Sequence, residues 1–274
     1  MPVTQIPYPP VELRTLVSPN VDDSYYDNPT GNYVFGPLNF GPLAAGEAYQ
    51  RIFDFGCGCG REARRLLLQK DRPKLYVGLD ISPPMIQWCR DNLEVDNFSF
   101  HHHDVWSISY APDNSRNRTL PIAHLGSNFS LIEANSVFTH LCSDQTEFYL
   151  REMVKMLSDK GIIRLTIFFF NKKWFPMMGD SNNTLFVDER DPTQAVYYDW
   201  NYFRELVKSL GYRIAQVQWT EVPGFHNIVV LARNRKFSDL GDSIPPASVF
   251  GFAENPAQPL QPDRRSLWQR LFRS

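Results

Sequence analysis

The residues best suited to chemistry stand in a glycine-rich segment, Asp54-Phe55-Gly56-Cys57-Gly58-Cys59-Gly60, between a short apolar run and a helical pattern. Glycine has no Cβ, so a turn made from it lets a ligand approach the backbone closely. In open α/β sheets, ligands bind at the carboxyl ends of the strands. The segment therefore predicts a ligand-binding turn that involves Gly56, Cys57, Gly58 and Gly60.

Three carboxylates accompany this turn. Asp80 ends the next predicted strand, 20 residues beyond Gly60, where a carboxylate can accept both hydroxyls of a ribose. Asp104 ends the third strand and is placed to meet an adenine amino group. Asp54 precedes the first glycine, where it can hold the amino-acid end of a ligand through the local network.

The glycine spacing separates two adenosyl cofactors. A nicotinamide enzyme would also show glycines and a ribose acid, but its fingerprint is G-x-G-x-x-G. Here the spacing is G-x-G-x-G. The pattern, together with the closing strand pair described below, favours S-adenosylmethionine (SAM) as the cofactor.

These residues need elements that position them, and hydrophobic periodicity predicts strands alternating with helices. The predicted strands are 51–56, 74–80, 98–104, 129–135, 162–170, 213–219 and 227–232. The predicted helices are 11–17, 61–70, 83–93, 143–157 and 199–210. Asp159-Lys160-Gly161 is predicted as a turn, and 105–128 and 171–198 as insertions.

The last two strands are separated only by residues 220–226. A parallel crossover needs a dozen residues or more, so these strands must pair antiparallel or not at all. The predicted fold is α/β: a Rossmann-like, mostly parallel sheet of seven strands with an antiparallel last strand and helices on both faces.

Three regions follow from this order: an N-terminal arm over 1–50 that caps the substrate, a catalytic domain over 51–235, and a tail over 236–274. The tail combines a proline-rich linker with a basic amphipathic helix at 264–273. Such a helix can lie on an anionic membrane surface, or dock on a partner or on its own domain, and docking is the favoured interpretation.

Composition and charge indicate which partners and which cellular compartment to expect. A net charge of −2 and a pI of about 6.3 argue against a nucleic-acid partner. The four cysteines show no disulfide pattern, the N-terminus lacks a signal-peptide pattern, and no apolar run reaches the length of a transmembrane segment. We therefore expect a cytoplasmic protein. His101-His102-His103 alternate in direction along a strand and predict no metal site.

The chain resembles the class I SAM-dependent methyltransferases over about residues 50–233. The resemblance rests on 51–60, 77–82, 136–141 and 157–166. It implies Gly56, Gly58 and Gly60 along the methionine part of SAM, Asp80 and Ile81 at the ribose, Asp104 and Val105 near the adenine, and Ser136 and Val137 beneath the donor.

A shorter resemblance lies in the arm. Residues 9–17, followed by Asp27-Asn28 and Gly31, look like the arm of bacterial methyltransferases found with glycosyltransferases in surface-glycan pathways. It implies a glycan or sugar acceptor. In the family, the acceptor pocket lies between such an arm and the insertion after the fifth strand.

His140 follows the fourth strand at the donor edge and is the candidate general base for a hydroxyl acceptor. The alternative is that it only caps the next helix or fills space. Aromatic residues of the arm and the late insertion either stack on a flat acceptor or form a core of their own: Tyr25, Tyr26, Tyr33, Phe35, Trp174, Phe175, Tyr197, Tyr198 and Trp200.

The expected function is methyl transfer from SAM to a hydroxyl, or a nitrogen, of a small molecule or glycan. Two other functions stay open at this point. One is an NAD(P)-dependent oxidoreductase with an atypical turn. The other is a non-catalytic scaffold of the same fold that recruits partners.

Overall fold

The computed structural model describes residues 6–32, 34, 45–220 and 226–233. Its centre is a sheet with the strand order β3-β2-β1-β4-β5-β9-β8. The strands are β1 (Arg51–Phe55), β2 (Leu75–Asp80), β3 (Phe98–His102), β4 (Phe129–Ala134), β5 (Leu157–Phe170), β6 (Thr184–Phe186), β7 (Val196–Asp199), β8 (Arg213–Gln218) and β9 (Asn227–Ala232).

The closing hairpin confirms the argument from connection length. Strand β9 runs antiparallel to β5 and to β8, whereas β1 to β5 pair in parallel. The predicted seven-stranded, mostly parallel sheet is therefore confirmed.

The helices are α1 (Val11–Val17), α2 (Ala45–Ala48), α3 (Arg61–Leu67), α4 (Pro83–Leu93), α5 (Ser143–Met156) and α6 (Trp200–Ser209). The bounds of α1 and α4 agree with the sequence prediction. Pro83 and Pro84 open α4, where a proline loses no intrahelical donor. Asp199 caps α6 by accepting from the backbone N–H of Tyr202.

Alternating side chains of the central strands enter two separate cores. Phe53 packs into a cluster with residues of α5 and α6, whereas Ile52 packs into a cluster with residues of α3 and α4. Both side chains are fully buried. The strands are apolar throughout because helices cover both faces of the sheet.

Two local predictions were wrong. The turn predicted at Asp159-Lys160-Gly161 lies inside β5, where the pairing jumps from Phe129↔Leu157 to Leu131↔Ile162. The extra residues are absorbed as an irregularity of the strand. The third strand also stops at His102, two residues before Asp104.

The insertion 171–198 contains two strands that sequence periodicity did not reveal. Strand β7 pairs in parallel with the end of β5, and β6 pairs antiparallel with β7. Three- and four-residue strands are too short to show an alternating pattern.

The arm docks on α3 through one buried arginine. The guanidinium of Arg64 donates to the carbonyl oxygens of Ile6, Pro7 and Tyr26 and to the Asp27 carboxylate. It also lies 3.9 Å from the centre of the Tyr8 ring. The described part of the arm is thus held against the helix that follows the glycine turn.

Some predictions fall outside the described residues: Tyr33 and Phe35 of the arm, the proline-rich linker and the basic tail helix. Within the described ranges, every helix is too short or too polar to cross a membrane.

Candidate functional site

A cavity of about 260 Å³ opens at the carboxyl ends of β1, β2 and β4. Eight of the residues predicted from the sequence line it: Gly56, Gly58, Asp80, Ile81, Val105, Ser136, Val137 and His140. Residues separated by up to 84 positions in the chain therefore converge on one space.

The glycine turn is fixed to the end of β2 by its own backbone. The N–H groups of Gly56 and Cys57 both donate to the carbonyl oxygen of Leu79, at 2.7 and 3.1 Å. Asp80 continues this link: one carboxylate oxygen accepts from the N–H of Gly58 at 2.8 Å, and the other from the N–H of Ser82 at 2.9 Å. Burial raises the pKa of Asp80, and these N–H donors oppose the rise.

The turn requires glycine at its first position. Gly56 has φ +86°, and a Cβ added there would lie 2.2 Å from Val137 Cγ2. Gly58 has φ +55°, and a Cβ there would lie 3.1 Å from Val17 Cγ2. The lack of side chains at both positions leaves a cradle between the turn, the segment after β4 and the arm. This cradle and the free lone pairs of the Asp80 carboxylate fit an adenosyl amino acid such as SAM.

The segment after β4 forms the opposite side of the cradle. Ser136 has φ +57°, a left-handed conformation that is uncommon for a residue with a Cβ. Its N–H donates to Thr166 Oγ1 at 2.6 Å, which fixes this backbone against β5.

Four predicted cofactor contacts lie outside the cavity lining. Asp54 is buried beneath the turn and accepts from the Tyr76 hydroxyl at 2.6 Å; burial raises its pKa to about 7. Cys57 is buried in the core shared with α3 and α4. Gly60 precedes α3, where a Cβ would lie 2.4 Å from Leu93 Cδ1. Asp104 is half-buried, and its carboxylate accepts from the N–H and hydroxyl of Ser115.

His140 ends a short 3-10 helix, Phe138–His140, and lines the cavity. Its Nδ1 lies 2.9 Å from the carbonyl oxygen of Thr193. The Tyr110 ring packs edge-on against the imidazole, with a centroid distance of 5.0 Å. Burial lowers the pKa of His140, and the contacts with the backbone of Thr193 and Gln194 partly oppose this.

Both insertions cover the cavity, and together with His140 they form its roof. Trp106, Ser109 and Tyr110 come from the first insertion, and Thr193 from the second. Asp191 joins them, because it accepts from the Ser109 hydroxyl. The sequence predicted both insertions but not the contact between them, because Ser109 and Asp191 are 82 residues apart in the chain.

Sequence reasoning missed other lining residues. Leu16 and Val17 of α1 are lining residues, as are His103 and Tyr149. His103 Nε2 lies 2.8 Å from the Tyr149 hydroxyl, and burial lowers the pKa of His103 to about 4. The position of His103 directly after β3 could have indicated a lining residue. The run of three histidines was considered only as a possible metal site.

The aromatic residues of the late insertion divide between two environments, and all five lie outside the cavity lining. Tyr198 and Trp200 are buried in the core of the sheet. Tyr197 stacks on Phe168, and Phe175 packs edge-on against Phe170. For these four residues a structural role is the better interpretation, whereas Trp174 is 39% exposed.

The three neighbouring histidines have separate partners. His101 Nε2 contacts Ser99, His102 Nε2 contacts the carbonyl oxygen of Ile81, and His103 contacts Tyr149. Among the described residues, no group of three or more histidine, cysteine or acidic side chains is arranged to hold a metal ion.

Residues 53–163 match a family model described as a methyltransferase domain. Among solved structures, the chain is similar to a magnesium protoporphyrin IX methyltransferase from Synechocystis with bound SAM: 16% identity, TM-score 0.43, covering 67% of this chain and 69% of that chain. It is also similar to a TehB-like SAM-dependent methyltransferase from Corynebacterium glutamicum: 18% identity, TM-score 0.41, covering 69% and 88%. A SAM-dependent methyltransferase from Mesorhizobium loti gives 15% identity, TM-score 0.45, and covers 68% and 92%.

The family match covers the glycine turn, Asp80 and the strand ends that form the cavity. The match therefore supports a methyltransferase domain over residues 53–163 that uses SAM as its cofactor.

Proposed function

We propose that the protein methylates a hydroxyl group of a small-molecule acceptor and that His140 is the general base. The observation that carries this proposal is the 2.9 Å contact between His140 Nδ1 and the carbonyl oxygen of Thr193. A carbonyl oxygen only accepts, so Nδ1 must carry the proton of a neutral ring. The lone pair then lies on Nε2, which can take a proton from a hydroxyl.

The environment keeps this ring neutral. Burial lowers the pKa of His140, so the base form predominates at neutral pH. The bound cofactor supplies a methyl group that its positive sulfur already activates. The chain must therefore align the acceptor and remove its proton, and a positioned base contributes about 10²–10⁴-fold to such a step.

We assign the cofactor contacts on the same basis. Asp80 would hold the ribose hydroxyls, since it lines the cavity and keeps lone pairs beyond those used by Gly58 and Ser82. Gly56 and Gly58 would face the methionine part, Ser136 and Val137 the donor, and Ile81 and Val105 the adenosine. Asp54, Cys57 and Gly60 would act by shaping the turn, and contact of Asp104 with the adenine stays a prediction.

A glycan or sugar is the second candidate acceptor. It rests on the resemblance of the arm, and Leu16 and Val17 of that arm do line the cavity. The net charge of −2 disfavours a nucleic-acid acceptor.

Two variants test the proposal together: His140→Gln and Asp80→Ala. Methyl-labelled SAM and a panel of phenols and monosaccharide glycosides report label transfer, and calorimetry reports SAM affinity. We expect His140→Gln to lower kcat about 100-fold or more with unchanged SAM affinity.

Asp80→Ala should weaken SAM binding by roughly 1–3 kcal/mol.

The opposite outcomes are informative. Normal turnover of His140→Gln would remove the base and favour a nitrogen acceptor. NADH binding without SAM binding would point to an oxidoreductase, and SAM binding without any methylated acceptor would point to a scaffold.

A further inference from the structure

A buried carboxylate links the two insertions above the cavity. Asp191 belongs to the second insertion and is 7% exposed. Its Oδ2 accepts from the hydroxyl of Ser109, which belongs to the first insertion. Neither the cofactor assignment nor the base assignment uses this carboxylate, so its burial calls for another explanation.

The other oxygen of Asp191 holds the backbone next to His140. Asp191 Oδ1 accepts from the N–H of Thr193 at 3.2 Å and from the Thr193 hydroxyl at 2.6 Å. These bonds cap the short 3-10 helix Pro192–Gln194. The carbonyl oxygen of the same Thr193 accepts from His140 Nδ1. Asp191 therefore holds the N–H and the hydroxyl of the residue whose carbonyl oxygen orients the imidazole.

We propose that Asp191 is a positioning residue: through Thr193 it holds His140 in the tautomer with the proton on Nδ1, and through Ser109 it joins the two insertions of the roof. The inference rests on the proposed role of His140 as the base. Asp191 does this without touching the acceptor or the cofactor.

The charged and titratable groups around His140 come from three segments. Tyr110 faces it from the first insertion, Asp191 from the second, and His226 from the segment before β9. The Asp191 charge and the Thr193 contact both raise the pKa of His140 against the larger effect of burial. Loss of Asp191 should therefore lower the pKa of His140 further.

Nitrogen NMR of protein labelled with ¹⁵N-histidine tests the proposal without any acceptor. The six histidines are resolved by comparison with His140→Gln, which removes one signal. In the wild type, we expect Nε2 of His140 to be the unprotonated nitrogen. In Asp191→Ala, we expect a mixture of tautomers and a lower titration midpoint.

Two further variants separate the contributions. Asp191→Asn keeps an oxygen for Thr193 but removes the charge, so it should keep the tautomer and lower the midpoint. It also serves if Asp191→Ala does not fold. Ser109→Ala removes only the link between the insertions and leaves both bonds to Thr193, so its tautomer should match the wild type.

An unchanged tautomer and an unchanged midpoint in Asp191→Ala would overturn the proposal. So would a mixed tautomer in Ser109→Ala with a wild-type tautomer in Asp191→Ala. Once an acceptor is found, Asp191→Ala should lower kcat at constant SAM affinity and move the acidic limb of the rate profile to lower pH. If His140→Gln instead turns over normally, the base assignment fails while the NMR result stands independently.

Discussion

The cavity has two sides, the glycine-turn side and the roof. They differ in the sequence separation of the residues that form them. The turn side consists of Gly56, Gly58 and Asp80; the N–H groups of the turn donate to the carbonyl oxygen of Leu79 and to the Asp80 carboxylate, at the end of the neighbouring strand. The roof brings together Tyr110, His140 and Thr193, with contacts that span 30 and 53 residues. The turn side is thus built by local backbone conformation, and the roof by contacts between insertions.

This difference explains what each side can do. Backbone bonds to Leu79 leave the turn little freedom, as a site for an invariant cofactor requires. The roof depends on side chains in two insertions, so it can vary with the acceptor while the sheet stays the same. The following predictions test that division.

The largest effect is expected for Gly56→Ala on the turn side. A positive φ and a Cβ 2.2 Å from Val137 Cγ2 act together, so we expect about 2–4 kcal/mol of destabilisation and loss of SAM binding. Denaturant unfolding and calorimetry with SAM measure both. The matched control is Gly211→Ala. Gly211 also has a positive φ, +76°, but a Cβ added there would have no atom within 4 Å, so this variant reports the backbone strain alone. Equal effects of the two variants would contradict the packing argument.

A smaller effect should follow from releasing the arm. Arg64→Met leaves the carbonyl oxygens of Ile6, Pro7 and Tyr26 without their donor, which should cost about 2–3 kcal/mol. Amide exchange in α1 should accelerate, because the arm loses its anchor on α3. Arg151→Met, which removes an exposed ion pair to Glu147 on α5, should change stability by less than about 0.5 kcal/mol. Unchanged exchange in α1 would show that the arm docks by other contacts.

The smallest effect on stability is expected at Asp54, which is buried beneath the glycine turn. Burial raises the pKa of Asp54 to about 7, above its value in the unfolded chain. Its contribution to stability is therefore fully present below about pH 4 and is lost as pH rises through 7. Relative to Asp54→Asn, the wild type should lose roughly 1–3 kcal/mol over this range.

Urea unfolding of both proteins at pH 5, 6, 7 and 8 measures this difference. Glu133, whose pKa burial raises to about 8, is present in both proteins and mostly cancels. A difference in unfolding free energy that does not change with pH would show that Asp54 is not ionising in this range.

Much of the fold was predictable because its signals are local. The apolar strands, the capped helices and the short closing connection each need only a few neighbouring residues to be recognised. The turn predicted at Asp159-Lys160-Gly161 failed because Leu157 and Ile162, on either side of it, both pair with β4, so β5 continues across the segment. The strands β6 and β7 were missed because their pairing depends on a distant strand: β7 pairs with β5, and β6 pairs with β7.

The cofactor side was more predictable than the roof for the same reason. Gly56, Gly58 and Asp80 follow strand ends at fixed spacing. His140 was singled out by position, but its partner Thr193 and the nearby Asp191 carried no local signal. Likewise, Leu16 and Val17 look like any apolar residues of a short helix until the arm folds onto the turn.

The sequence by itself determined the order of strands and helices and the turn on which an adenosyl cofactor can rest, because backbone conformation and hydrophobic alternation act between near neighbours. Only the tertiary structure decided which strand-end residues line the cavity and which are buried beneath it. It also decided the orientation of His140, since that depends on a carbonyl oxygen 53 residues further along the chain.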